Sequence, residues 1–225
     1  MLTLSSRFFS HATRHMSQTS KMSVVVISPE DEDAREITVM EGLFADGLEQ
    51  YHVRKPYWPL ARMERWLYAL SREWWPKLIL HQHHELVHAL KLGGCHWKDD
   101  GTAPPVPLKN NGFSCRACHK RDDLLSALGH YDAVMVSPVF PSISKPGHNP
   151  NGEFSPASLS ERLQQRTAQE RRTAIIALGG ITASTAPRCR DCGFDGVAVL
   201  GAIWETRDPL KAFEEIQKSL TNHAA

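Results

Sequence analysis

Two glycine-bearing turns hold the clearest chemistry in the chain. Gly179-Gly180 stands just beyond the apolar run AIIA at 174–177, and Gly201-Ala202 just beyond GVAVL at 196–200. Without a Cβ, such turns let backbone N–H groups come close to an anion, and a short helix at 201–204 adds its dipole. Two turns of this kind at neighbouring strand ends fit a phosphate; the alternative is that the glycines only permit tight turning. A third segment, SPVFPSISK at 137–145, places Ser142 and Ser144 on one side of an extended stretch with Lys145 beside them. Two hydroxyls to donate and one ammonium for charge suit the same anion.

Histidines supply the second chemistry. An imidazole titrates near neutral pH and can both take up and release a proton. His81, His83, His84, His96 and His119 are candidates for such a group, and several of them read as solvated side chains. Cys115-x-x-Cys118-His119 has the form of a haem attachment motif, but that chemistry needs export and no apolar secretory segment is present. Cys189-x-x-Cys192 lies too far along the chain to share zinc with the first pair. The five cysteines therefore read as free thiols, with Cys118 beside His119 a candidate for an acidified one. Arg116 and Arg171-Arg172 read as surface charge, and Trp74-Trp75 as helix-end packing.

These groups need a frame. SVVVI at 23–27 is a β-branched run, followed at helical spacing by Ile37, Met40, Leu43 and Phe44, with Gly47 closing that helix. Further strands are expected at 48–53, 77–81, 94–97, 113–116, 133–137, 174–177 and 196–200. Helical patterns fall between them: one after Pro59, then 85–92, 122–128, one from Ser155-Pro156 to about 171, one capped by Thr182 and ending near Cys192-Gly193, and 209–220. A proline-rich loop at 99–112 replaces most of the fourth helix, and a long polar loop fills 138–154. The strands are continuously apolar, as in a parallel sheet covered by helices. Eight such units close a (β/α)8 TIM barrel, whose site lies at the C-terminal strand ends. A doubly wound open sheet is the runner-up, weakened by the lack of a GxGxxG after the first strand.

Composition narrows the field. The chain has 225 residues, 41% of them hydrophobic, and a formal net charge of +1. It lacks the basic stripe of a nucleic-acid binder and any run long enough to span a membrane. Residues 1–22 hold Arg7, Arg14 and Lys21 but no acid. That composition suits a transit peptide or an upstream start codon, with Met16 or Met22 the true beginning; the second reading is preferred, and a cytoplasmic location follows from it. The barrel is then expected over 23–221.

SPVFPSISK, ALGGI at 177–181 and VAVLGAIW at 197–204 resemble the thiamine phosphate synthase and TenI family. The likeness runs back in order through CHKRDDL, GGCHW, LHQHHELV and YHVRKP. It implies a TIM barrel binding thiazole phosphate among Ser142, Ser144, Gly179, Gly180, Gly201 and Ala202, with self-association possible. It also implies one of two reactions. The synthase joins thiazole phosphate to a hydroxymethylpyrimidine diphosphate with Mg²⁺, using carboxylates and cations. For that half the family pattern Gln-x-Arg-x-Lys reads His52, Arg54 and Pro56 here, with Lys55 adjacent. The metal-binding Asn-Asp reads His81-Gln82, the second Asp falls near Gly101 with Asp99 or Asp100 as substitutes, and the Ser of Ser-x-His is Ala117. The tautomerase aromatises its thiazole without metal or other cofactor, and His119 aligns with its histidine. Because the metal half departs from the pattern, the tautomerase reading ranks narrowly first, the synthase second and a non-catalytic binding barrel third.

Overall fold

The expected alternation closes on itself in the computed structural model, which describes residues 22–101, 112–141 and 154–221. Eight strands pair in parallel: β1 (Ser23–Ile27), β2 (Gln50–Val53), β3 (Leu78–Leu80), β4 (Gly94–Trp97), β5 (Phe113–Cys118), β6 (Ala133–Val136), β7 (Ala174–Leu178) and β8 (Gly196–Val199). They follow chain order around the barrel, and β8 pairs back onto β1. Outside lie α1 (Glu36–Ala45), α2 (Leu60–Ala69), α3 (Glu85–Leu90), α4 (Arg121–Ala127), α5 (Pro156–Gln164) and α6 (Ala186–Cys192). The short α7 (Gly201–Trp204) and the closing α8 (Pro209–Thr221) follow β8. The loop expected between β4 and β5 lies mostly outside the described residues, as do Ser142, Ser144 and Lys145. Among the described residues no helix is long and apolar enough to cross a membrane.

Strand alternation explains the continuous apolar runs. Val24 and Val26 join the layer under the helices, while Val25 and Ile27 join the barrel interior. On β8, Val197 and Val199 face outward and Ala198 inward. Both faces are buried, so both must be apolar. The end away from the site is tied by a repeated aromatic–Asp pair. Asp132 Oδ2 accepts from the Ser114 N–H (2.8 Å) and hydroxyl (2.7 Å). Asp195 Oδ2 likewise accepts from the Ile175 N–H (2.8 Å) and the Arg166 guanidinium (2.8 Å).

Element boundaries shift for identifiable reasons. β2 begins at Gln50 rather than residue 48, because the Leu48 N–H still closes α1 by donating to Leu43 O (2.9 Å). α5 stops at Gln164, not near 171. Arg166 turns inward there, buried, to reach Asp195 and the carbonyls of Leu163 and Thr173, leaving only a 3₁₀ turn at Glu170–Arg172. α6 starts at Ala186 because Thr182 and Thr185 bond each other across a preceding turn (Thr182 N to Thr185 Oγ1, 2.8 Å). Trp74 stacks on Phe44 at 4.9 Å and the Trp75 indole donates to Leu67 O (3.2 Å), as packing residues do.

Candidate active site

A cavity of about 650 Å³ opens at the C-terminal strand ends. One wall is made by the two glycine turns. Gly179 and Gly180 have φ of +99° and +63°, the left-handed region in which side-chain-bearing residues are strained. A Cβ on Gly180 would stand 2.4 Å from Pro141 O and 2.6 Å from Phe140 Cβ, so the close approach also demands glycine. Gly201 and Ala202 open α7, where first-turn N–H groups have no acceptor within the helix. All four residues line the cavity.

The other wall carries charge. Arg54, Lys98, Asp99, Asp100 and His119 line it from the ends of β2, β4 and β5. Arg54 is held by its backbone: its N–H donates to Ser28 Oγ (2.8 Å), whose hydroxyl donates to Arg54 O (3.1 Å). Its guanidinium pairs with Glu30 at the rim. Asp99 accepts from the His119 N–H (3.1 Å) and faces the Arg116 guanidinium (3.7 Å). Arg116 also approaches Asp123 (3.5 Å), so it organises the rim and is not the loose surface charge expected of it. His119 Nδ1 lies 3.1 Å from Ser137 O. Ser137 Oγ lies 3.2 Å from the same nitrogen, and because a hydroxyl can donate or accept, Ser137 holds the ring through Nδ1 in either tautomer.

Lys55, next to the position where the family pattern has a lysine, does not reach the cavity. It is fully buried and turned away from the cavity, with Nζ on Glu36 Oε2 (2.6 Å), Pro29 O (2.7 Å) and Asp31 O (3.2 Å). Tyr51 donates to the other Glu36 oxygen (3.0 Å). Burial pushes the Glu36 carboxyl upward, against the pull of Lys55 and Tyr51. The expected reactive thiol is also overturned. Cys118 is buried in the layer under the helices, and desolvation pushes it up to about 12. All five cysteines are free.

The matching family model, described as thiamine monophosphate synthase, covers residues 23–203. A thiamine-phosphate synthase of Bordetella avium is 30% identical over 195 residues, spanning 81% of this chain and 87% of that protein. Another, of Methylobacillus flagellatus, is 29% identical over 206 residues, spanning 87% and 93%. The chain belongs to the thiamine monophosphate synthase family. In fold it is similar to the thiamine phosphate pyrophosphorylase of Bacteroides thetaiotaomicron, with a TM-score of 0.73 at 23% identity over 90% of this chain and all of that one.

Against this family frame, the departures at positions 52 and 81 meet in space. His52 is fully buried and does not line the cavity, whereas His81 and His96 do. His81 and His96 stack at 3.9 Å between ring centroids, and His52 Nδ1 lies 3.1 Å from His81 Nε2. Burial drives all three toward the neutral form, His52 down to about 3. Lys98 escaped the sequence reading; its signal was position, just beyond the end of β4.

Proposed function

We propose that the protein is a thiamine phosphate synthase, joining a thiazole phosphate to a hydroxymethylpyrimidine diphosphate with release of pyrophosphate. One observation carries this reading: a single cavity has glycine turns on one wall and Arg54, Lys98, Asp99 and Asp100 on the other. A thiazole phosphate at Gly179, Gly180, Gly201 and Ala202 leaves its ring facing the charged wall. There Arg54 and Lys98 offer cationic partners to a diphosphate, in a cleft where their charge acts more strongly than in water. Ser142, Ser144 and Lys145 complete the phosphate pocket in this reading. The relatives' names support the synthase over the tautomerase that the sequence pattern ranked first.

Magnesium takes one or two carboxylates and completes its shell with water and phosphate oxygens. Asp99 and Asp100 fit that donor set, although Gln82 stands where the family pattern has a metal carboxylate. When bound, the ion supplies positive charge to the departing diphosphate. Ser137 engages His119 at Nδ1, which leaves Nε2 to orient groups or exchange a proton in either chemistry.

The deciding experiment supplies both substrates with and without Mg²⁺ and follows pyrophosphate and thiamine phosphate. Equal amounts of both products, formed only with the metal, are expected. Binding of thiazole phosphate with no product would overturn the synthase, and metal-free aromatisation of the thiazole tautomer would put the isomerase in its place. Gly180→Ala tests the phosphate wall. Backbone strain of about 1–3 kcal/mol, with the Pro141 contact added, should lower the unfolding midpoint and weaken thiazole phosphate binding at least about fivefold.

A further inference from the structure

Most of the barrel interior is apolar. Val25, Ile27, Cys115, Ala133, Met135, Ile176 and Ala198 fill it from β1, β5, β6, β7 and β8. The remaining sector is different. By strand alternation Tyr51, Val53 and Cys95 go to the layer under the helices, which turns His52 on β2 and His96 on β4 inward. His81, one residue beyond β3, fills the gap between them. Three imidazoles from consecutive strands thus meet, at 0%, 6% and 4% exposure for His52, His81 and His96.

A buried polar cluster is costly unless its atoms are satisfied. The described structure gives no partner to His52 Nε2 or His96 Nδ1. One ligand-capable nitrogen from each ring lies within 4.8 Å of the other two. A tetrahedral zinc site, with bonds of about 2.0–2.1 Å, sets its nitrogens roughly 3.3 Å apart. The His52–His81 pair at 3.1 Å is already near that spacing. His96 lies stacked on His81 with an interplanar angle of 11°, so it must swing out of that stack to turn its nitrogen to the same point.

We propose that His52, His81 and His96 form a three-histidine site for a transition dication of the zinc class, with its fourth position open to the cavity. Imidazole nitrogens suit zinc, cobalt, iron or nickel, whereas magnesium prefers oxygen. His81 and His96 line the cavity, so they provide both the entry path and the open face. Three protein ligands and one open position are the arrangement of a site that receives a water or a substrate oxygen. The site is separate in residues and in metal class from the Asp99–Asp100 carboxylates. It does not depend on which reaction the cavity performs.

The test uses the full chain after chelator treatment, titrated with Zn²⁺ by calorimetry and with Co²⁺ by visible absorption. One ion per chain, bound at about 1 µM or tighter, is expected, with cobalt bands of tetrahedral nitrogen–oxygen coordination. His96→Gln and His81→Asn should each weaken binding at least about tenfold, while His130→Ala, at an exposed site, should leave it unchanged. X-ray absorption of the zinc-loaded, unmutated protein guards against variants that fail to fold. Nitrogen neighbours at about 2.0–2.1 Å support the site; sulfur at about 2.3 Å would move the metal to cysteines and overturn it. Failure to bind one equivalent would overturn it as well.

Discussion

Lys55→Ala should destabilise the protein by about 3–5 kcal/mol, a large share of a typical domain's stability, because it strands a carboxylate in the barrel wall. Lys55 and Glu36 are 0% and 5% exposed in their side chains and 2.6 Å apart, and nothing else cationic bonds that carboxylate oxygen among the described contacts. Burial alone drives the Glu36 carboxyl upward, and without Lys55 it should rise further. A group whose folded pKa is raised contributes stability at pH below its unfolded value and loses it as pH climbs through the folded one. The deficit of Lys55→Ala should therefore be smaller near pH 5 than near pH 8. Urea unfolding at the two pH values measures this. Lys55→Met combined with Glu36→Gln should recover at least half the loss, since the amide can still accept from Tyr51. An equal deficit at both pH values, with full activity kept, would show that the pair contributes nothing electrostatic.

That prediction also marks where the sequence was legible. The barrel could be read because strands such as β1 (SVVVI), β6 (AVMV) and β7 (AIIAL) pack on both faces, which leaves continuous apolar runs. The glycine walls could be read because Gly179 and Gly180 need a backbone conformation and a clearance that other residues lack. The direction of Lys55 needed more. Adjacent residues at a strand end point to opposite sides, so Arg54 entering the cavity sends Lys55 out of it. The same parity separates Cys118, in the helix-side layer, from His119 on the cavity, and undoes the acidified thiol. His81 and His96 were read within a set of rim histidines, several of them solvated, and His52 apart from them at a position of the family pattern. Their contact exists only once β2, β3 and β4 are aligned in register, which no single segment encodes. Arg116 was misread for a related reason: its partners come from two different elements, Asp99 from the segment after β4 and Asp123 from the first turn of α4.

Arg54→Ala is expected to lower kcat/KM for the pyrimidine diphosphate by about 10²–10³, the usual loss when one preorganised charge partner leaves a water-poor site. Its side chain is one-third exposed and its pair with Glu30 lies at the rim, so the fold should lose no more than about 1 kcal/mol. The KM for thiazole phosphate should change much less, because the glycine wall is built by the loops after β7 and β8, which β1 separates from β2. His119→Ala supplies the contrast. Its ring borders the cavity but its Nδ1 is engaged with Ser137, so in a synthase it orients groups and its loss should cost less than that of Arg54. In a tautomerase the order reverses, since the proton shift needs the imidazole and no diphosphate, and general acid–base catalysis is worth about 10²–10⁴. Measuring both variants against both reactions separates the two chemistries by rank order, without relying on the absolute rate of either.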